Sequence, residues 1–106
     1  MVQFGLHTFN TYQKDEIRLI DGQAVKISDI IVHEFTIGDV EDPGIYAAQP
    51  LYEWQETEEG KWIMAHAVEI PYWIQHADYN SFGYKFKIVA RLKEPDQVFW
   101  TLKWKR

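Results

Sequence analysis

Gly83-Tyr84-Lys85-Phe86-Lys87-Ile88-Val89-Ala90-Arg91-Leu92-Lys93 is the stretch on which the fold turns. Tyr84, Phe86, Ile88, Ala90 and Leu92 stand two residues apart, while Lys85, Lys87, Arg91 and Lys93 take alternate positions. Neighbouring side chains of a strand point to opposite faces, so this spacing predicts a half-buried antiparallel strand, apolar on one face and basic on the other. Upstream, Tyr72 to Asp78 reads as a partner strand. The intervening Asp78-Tyr79-Asn80-Ser81-Phe82-Gly83 is rich in turn formers, which makes the pair a hairpin. Downstream, Glu94-Pro95-Asp96 reads as another turn. Val98, Trp100, Leu102 and Trp104 then repeat the alternation, with Phe99, Thr101, Lys103 and Lys105 opposite them, and the expectation is one more strand.

The rest of the chain extends this sheet and interrupts it once. Val2, Phe4, Leu6 and Thr8 alternate, and Ile17 and Leu19 precede Asp21-Gly22 with Val25 and Ile27 after it, a strong hairpin signal. Ile30 to Ile37 is a short β-branched and apolar run that reads as a buried, central strand. Asp42-Pro43 offers an N-cap and a first-turn proline, so a helix is expected from Pro43, with Pro50 as a second start. Leu51, Trp54, Trp62 and Ala65 continue at roughly helical spacing, with a break or turn at Gly60. A hairpin around Glu58-Glu59-Gly60 is the competing reading of residues 50–67, because Trp62, Met64, His66 and Val68 also alternate. The architecture expected is α+β: one domain, residues 1–106, with an antiparallel sheet of five to six strands covered on one side by one helix or a broken helical pair.

Composition sets limits on function. The chain has 106 residues, 46% hydrophobic and 25% charged, close to globular averages and sufficient for a core. Five Trp, six Tyr and six Phe supply large apolar areas and amphipathic rings suited to interfaces. The absence of cysteine rules out disulfides, thiol nucleophiles and thiolate metal sites. No apolar run reaches the length of a membrane span and residues 1–10 do not resemble a signal peptide, so a soluble, non-exported protein without a membrane partner is expected. Net charge is −5, which argues against DNA binding by overall charge. That charge is unevenly placed: Glu34 to Glu59 holds eight acidic and no basic residues, whereas Lys61 to Arg106 holds eight basic and four acidic ones. Such asymmetry points to two surfaces with different neighbours.

A resemblance emerges along the second part of the chain. Gly38-Asp39-Val40-Glu41-Asp42-Pro43, Ile45-Tyr46-Ala47-Ala48-Gln49-Pro50-Leu51, Trp54-Gln55 and Gly60-Lys61-Trp62-Ile63-Met64, followed by Gly83-Tyr84, Phe99-Trp100 and Leu102-Lys103-Trp104, resemble a family of small uncharacterised proteins of marine tailed phages, cyanophages among them. The resemblance runs from Val32 onward, about two-thirds of the chain. It implies a phage setting, in the host cytoplasm or the virion, and carries no catalytic residue across.

Chemistry-bearing residues are sparse. His7, His33, His66 and His76, with Glu34, Glu69 and Asp78, are of the types that bind Zn²⁺ or Mn²⁺, but their spacing matches no metal motif. Asp39, Glu41 and Asp42 are too few for a Ca²⁺ loop and suit helix capping. Ser28 and Ser81 lie in no nucleophile turn, and Glu53, Glu56, Glu58 and Glu59 read as a solvated helix face. No cofactor or metal is expected. Two surfaces remain. Lys85, Lys87, Arg91, Lys93, Lys103 and Lys105, with Phe99, would form a basic platform with a stacking ring, as single-stranded nucleic-acid binders use. Tyr72, Trp73, Tyr79 and Phe82 would form an aromatic loop for a homo-oligomer, host or virion contact. A protein-contact function, as a homo-oligomer, is the first expectation, and nucleic-acid binding through the basic face is the alternative.

Overall fold

In the computed structural model, which describes residues 5–7 (by their backbone), 14–78, 80 and 82–105, the Asp21-Gly22 signal is answered directly. Strand β2 (Glu16–Ile20) pairs antiparallel with β3 (Gln23–Ile37), Ile20 opposite Gln23 across a two-residue turn. Asp21 and Gly22 adopt positive φ angles of 51° and 78°, the backbone that such a tight hairpin demands and that Asp and Gly tolerate best. Strand β3 is long enough to pair twice. Its first five residues bind β2, and from Ile27 onward it binds β5 (Gly83–Lys93), with a bulge between Ile31 and His33. β5 also pairs antiparallel with β4 (Tyr72–Asp78), whose other edge carries the three-residue β1 (Gly5–His7) in parallel. The sheet order is β1-β4-β5-β3-β2.

The fold is therefore α+β around an antiparallel sheet. Four of its strands are antiparallel, not the five to six expected, because the segment after Lys93 is not a strand. Glu94–Lys103 forms a helix, α3, with Pro95 in its first turn beside the acidic Glu94 and Asp96. Its inward positions are Gln97, Trp100 and Trp104, three and four residues apart, whereas Val98 and Leu102, read as inward on a strand, are exposed. Val2, Phe4, Thr8 and Tyr79 lie outside the described residues.

Residues 50–67 are helical and not a hairpin. Helix α1 (Pro43–Gln55) starts at the expected proline and runs through Pro50 without a second start. Asp42 caps it without a side-chain bond and sits in the left-handed region at φ 51°. The break falls at Glu56-Thr57, where the Thr57 hydroxyl accepts from Gly60 N at 3.0 Å and so opens helix α2 (Glu58–His66). Gly60 stands inside that first turn because a Cβ there would lie 1.9 Å from the Trp54 carbonyl oxygen.

All three helices cover one face of the sheet. Phe86, Ile88, Ala90 and Leu92 of β5 and Val32 of β3 pack there with Ala47, Leu51, Trp54, Ile63 and Trp100. The opposite face is not a wet basic surface: Tyr72, Ile74 and Val89 are buried on it, with Ile31 against them.

Candidate interaction surfaces and buried charge sites

Alternation puts Arg91 on the face away from the helices, and there it is 3% exposed. Its Nη1 donates to Asp29 Oδ1 at 3.0 Å, its Nη2 to Glu16 Oε1 at 3.1 Å and to the Lys14 carbonyl at 2.6 Å. The Tyr72 hydroxyl donates to the other oxygen of Asp29 at 2.6 Å. The Arg91 guanidinium thereby joins β5 to β2 and β3, and Tyr72 on Asp29 brings in β4. Burial disfavours its charge, but the bonds and charges of Asp29 and Glu16 outweigh that and hold its pKa above the ordinary value. In return Glu16 is held below the usual carboxylate value, by its hydrogen bond with Arg91 first and that with Arg18 second.

A second buried charge site sits under the helices. Glu59, expected on a solvated helix face, is instead half-buried, and accepts from Trp100 Nε1 at 2.7 Å and Trp54 Nε1 at 3.4 Å. His33 stacks on Trp54 with ring centroids 5.8 Å apart, and burial lowers its pKa against the opposing pull of Glu59 and Glu34. His33, Glu34, Glu59 and Trp100 line a groove of about 500 Å³ between the β3 bulge, α2 and α3, with Trp104 and Lys105 at its α3 side. Beside it Trp62 stacks on His66 and Phe99 at 4.2 and 5.1 Å.

The basic platform expected from sequence is not assembled. Lys85, Lys87, Arg91 and Lys93 do share the outer face of β5, but Arg91 is committed to its carboxylates and Lys87 Nζ is 4.0 Å from Glu34. Lys103, Lys105 and Phe99 belong to α3 and its end, on the opposite side of the sheet. There Lys103 Nζ pairs with Glu58 at 3.2 Å and stands 4.9 Å from the Trp104 ring centre. The physical cause is the helix: turning Glu94–Lys103 out of the sheet carries three of the seven residues away.

The aromatic loop is also divided. Tyr72 is buried in the Asp29 network and Trp73 packs on Phe86 at 5.2 Å, so both serve the interior. Phe82 alone of the described members is displayed, 83% exposed and held at φ 56° on the β4–β5 turn. Among the described residues no three His, Asp or Glu side chains gather closely enough to hold a metal ion. His66 instead bonds the Trp62 carbonyl through Nδ1 at 2.8 Å, and His76 Nε2 is buried with no hydrogen-bond partner among the described residues. The side chain of His7 lies outside the described residues.

An apolar surface not singled out from the sequence lies on β2. Ile17 and Leu19 are 67% and 76% exposed on an edge strand, and because Glu16 points to Arg91, they project on the helix side of the sheet. α3, packed on β3 and β5 on that same side, exposes Val98 and Leu102. Among the described residues no helix is long and apolar enough to cross a membrane. The chain matches no known family, no curated protein and no solved structure.

Proposed function

We propose that this chain works through protein–protein contacts, as a self-associating accessory protein of the phage type its sequence resembles, in the host cytoplasm or the virion. The observation that supports this most is the uncovered apolar surface at one edge of the sheet, Ile17 and Leu19 on β2. Large exposed aliphatic side chains on an unpaired strand edge are a liability for a monomer and an asset for an assembling protein. Val98 and Leu102 on α3 extend the apolar surface available on that side.

Nucleic-acid binding draws less support, because the basic residues that would act together are split between two layers and Arg91 is spent on Asp29 and Glu16. The test is light scattering on a size-exclusion column across a range of protein concentrations, with and without a short single-stranded oligonucleotide. A mass of two or more chains, indifferent to the oligonucleotide, is expected. A monomer at every concentration would overturn the reading. A mass shift that needs the oligonucleotide and is reversed by high salt would replace it with nucleic-acid binding.

A further inference from the structure

We infer that the partner of β2 is the β2 strand of a second copy, paired antiparallel about a two-fold axis at Ile17, so that two sheets join into one; this inference rests on the self-association proposed above. The two-residue turn makes Ile20 and Gln23 a hydrogen-bonded pair. Pairs alternate along an antiparallel ladder, so Arg18 and Glu16 also spend their backbone groups on β3. The N–H and C=O of Ile17 and Leu19 therefore point to the open edge, where among the described residues no strand lies beyond β2.

Those outward groups limit how two copies can pair. Outward residues must meet outward residues, which leaves axes at Glu16, Ile17, Arg18 or Leu19; an axis at Glu16 sets two carboxylates directly opposite each other in a closely spaced pair. An axis at Leu19 sets Ile17 against Asp21, where the strand has already turned. An axis at Arg18 brings two guanidinium groups face to face in a closely spaced pair, with like charges directly opposed. An axis at Ile17 sets Glu16 of each copy opposite Arg18 of the other, twice, and stacks Ile17 on its own counterpart. Both charged side chains are reachable from outside, 38% exposed at Glu16 and 44% at Arg18. The strand Glu16-Ile17-Arg18-Leu19 is thus self-complementary in charge in only one of its four pairings. The occupant that the edge fits is a second copy of this chain.

The natural chain contains no cysteine, so single cysteines report this register without background. Across the axis the two Ile17 Cα atoms would be about 5.5 Å apart, within disulfide reach, whereas two Arg18 positions, offset by two residues, would exceed about 7 Å. Under mild oxidation Ile17→Cys is expected to form a covalent dimer and Arg18→Cys is not. Arg18→Glu, at an exposed position, should weaken self-association about tenfold by opposing Glu16 with a second carboxylate at two symmetric points. Ile17→Pro, which removes an outward N–H and no bond to β3, should halve the mass. A wild-type dimer that neither Arg18→Glu nor Ile17→Pro weakens, and that Ile17→Cys does not cross-link, would overturn this inference and leave self-association standing. A wild-type monomer would overturn both, and cross-linking stronger at Arg18→Cys than at Ile17→Cys would overturn the register.

Discussion

Each face of the sheet buries a charged group, and the two are stabilised by opposite means. Under the helices, Glu59 is held by two neutral indole N–H groups. On the other face, Arg91 is held by two carboxylates and a carbonyl. A carboxylate bonded to dipoles and still half open to water loses less when one donor goes than a sealed ion pair does, since solvent replaces part of it. A guanidinium and a carboxylate that are both sealed from water depend on each other, because removing one strands the other's charge in a poor dielectric. The lesson is that charge partners, more than burial alone, decide which site the fold depends on. The helix side draws its stability from apolar packing and uses Glu59 to orient rings, whereas the other face uses Arg91 and its partners to fasten four strands.

The sharpest way to break this comparison is to remove Arg91. Arg91→Met keeps an apolar stem of similar length but takes the guanidinium away from Asp29, whose side chain is 3% exposed. A loss of about 3–5 kcal/mol in urea unfolding is expected. The double variant Arg91→Met with Asp29→Leu should recover part of that loss, because the buried carboxylate is removed together with the guanidinium; no recovery would mean that the geometry of the network matters more than its charge balance. On the helix side Trp100→Phe keeps an aromatic ring, smaller than the buried indole, and deletes the 2.7 Å bond to Glu59. Its cost should be about 1.5–3 kcal/mol, the range for a hydrogen bond to a charged group. If it equalled that of Arg91→Met, the contrast between the two faces would fail.

What sequence could show follows the range of the forces involved. The Asp21-Gly22 hairpin, the start of α1 at Pro43 and the alternation of β4 and β5 are local signals, and each is present where expected. Glu94-Pro95-Asp96 was equally local, but the same residues serve a turn or a helix N-terminus, and the alternation of Val98, Trp100, Leu102 and Trp104 favoured the turn. Only packing separates the two, since Trp100 and Trp104 also share a helix face. The buried charge sites were invisible for a different reason. Arg91 meets Asp29 and Glu16 across 62 and 75 residues, and Trp100 meets Glu59 across 41. A lysine- and arginine-bearing strand face looks the same in sequence whether its cations meet solvent or distant carboxylates, so sequence presents the basic platform as one surface.

The smallest effect separates the two faces by pH. His33, on the helix side, has its pKa lowered by burial, so the folded chain takes up a proton there less readily than the unfolded chain. Its contribution is complete above the unfolded value near 6.5 and is lost as pH falls from there toward the lowered folded value. Glu16, on the other face, is lowered by Arg91 and Arg18, so its contribution is complete above the ordinary value near 4.5 and is lost as pH falls through its folded value. Both losses run in the same direction, toward acid, but in separate windows. Thermal unfolding measured from pH 8 to pH 3 should therefore show a shallow decline beginning near 6.5 and a second one below 4.5. His33→Gln should abolish the first and spare the second, and Arg91→Met should spare the first and shrink the second to the share that Arg18 sustains. A single decline erased by either substitution would mean that the two sites titrate as one, across the sheet, and that the faces are not independent.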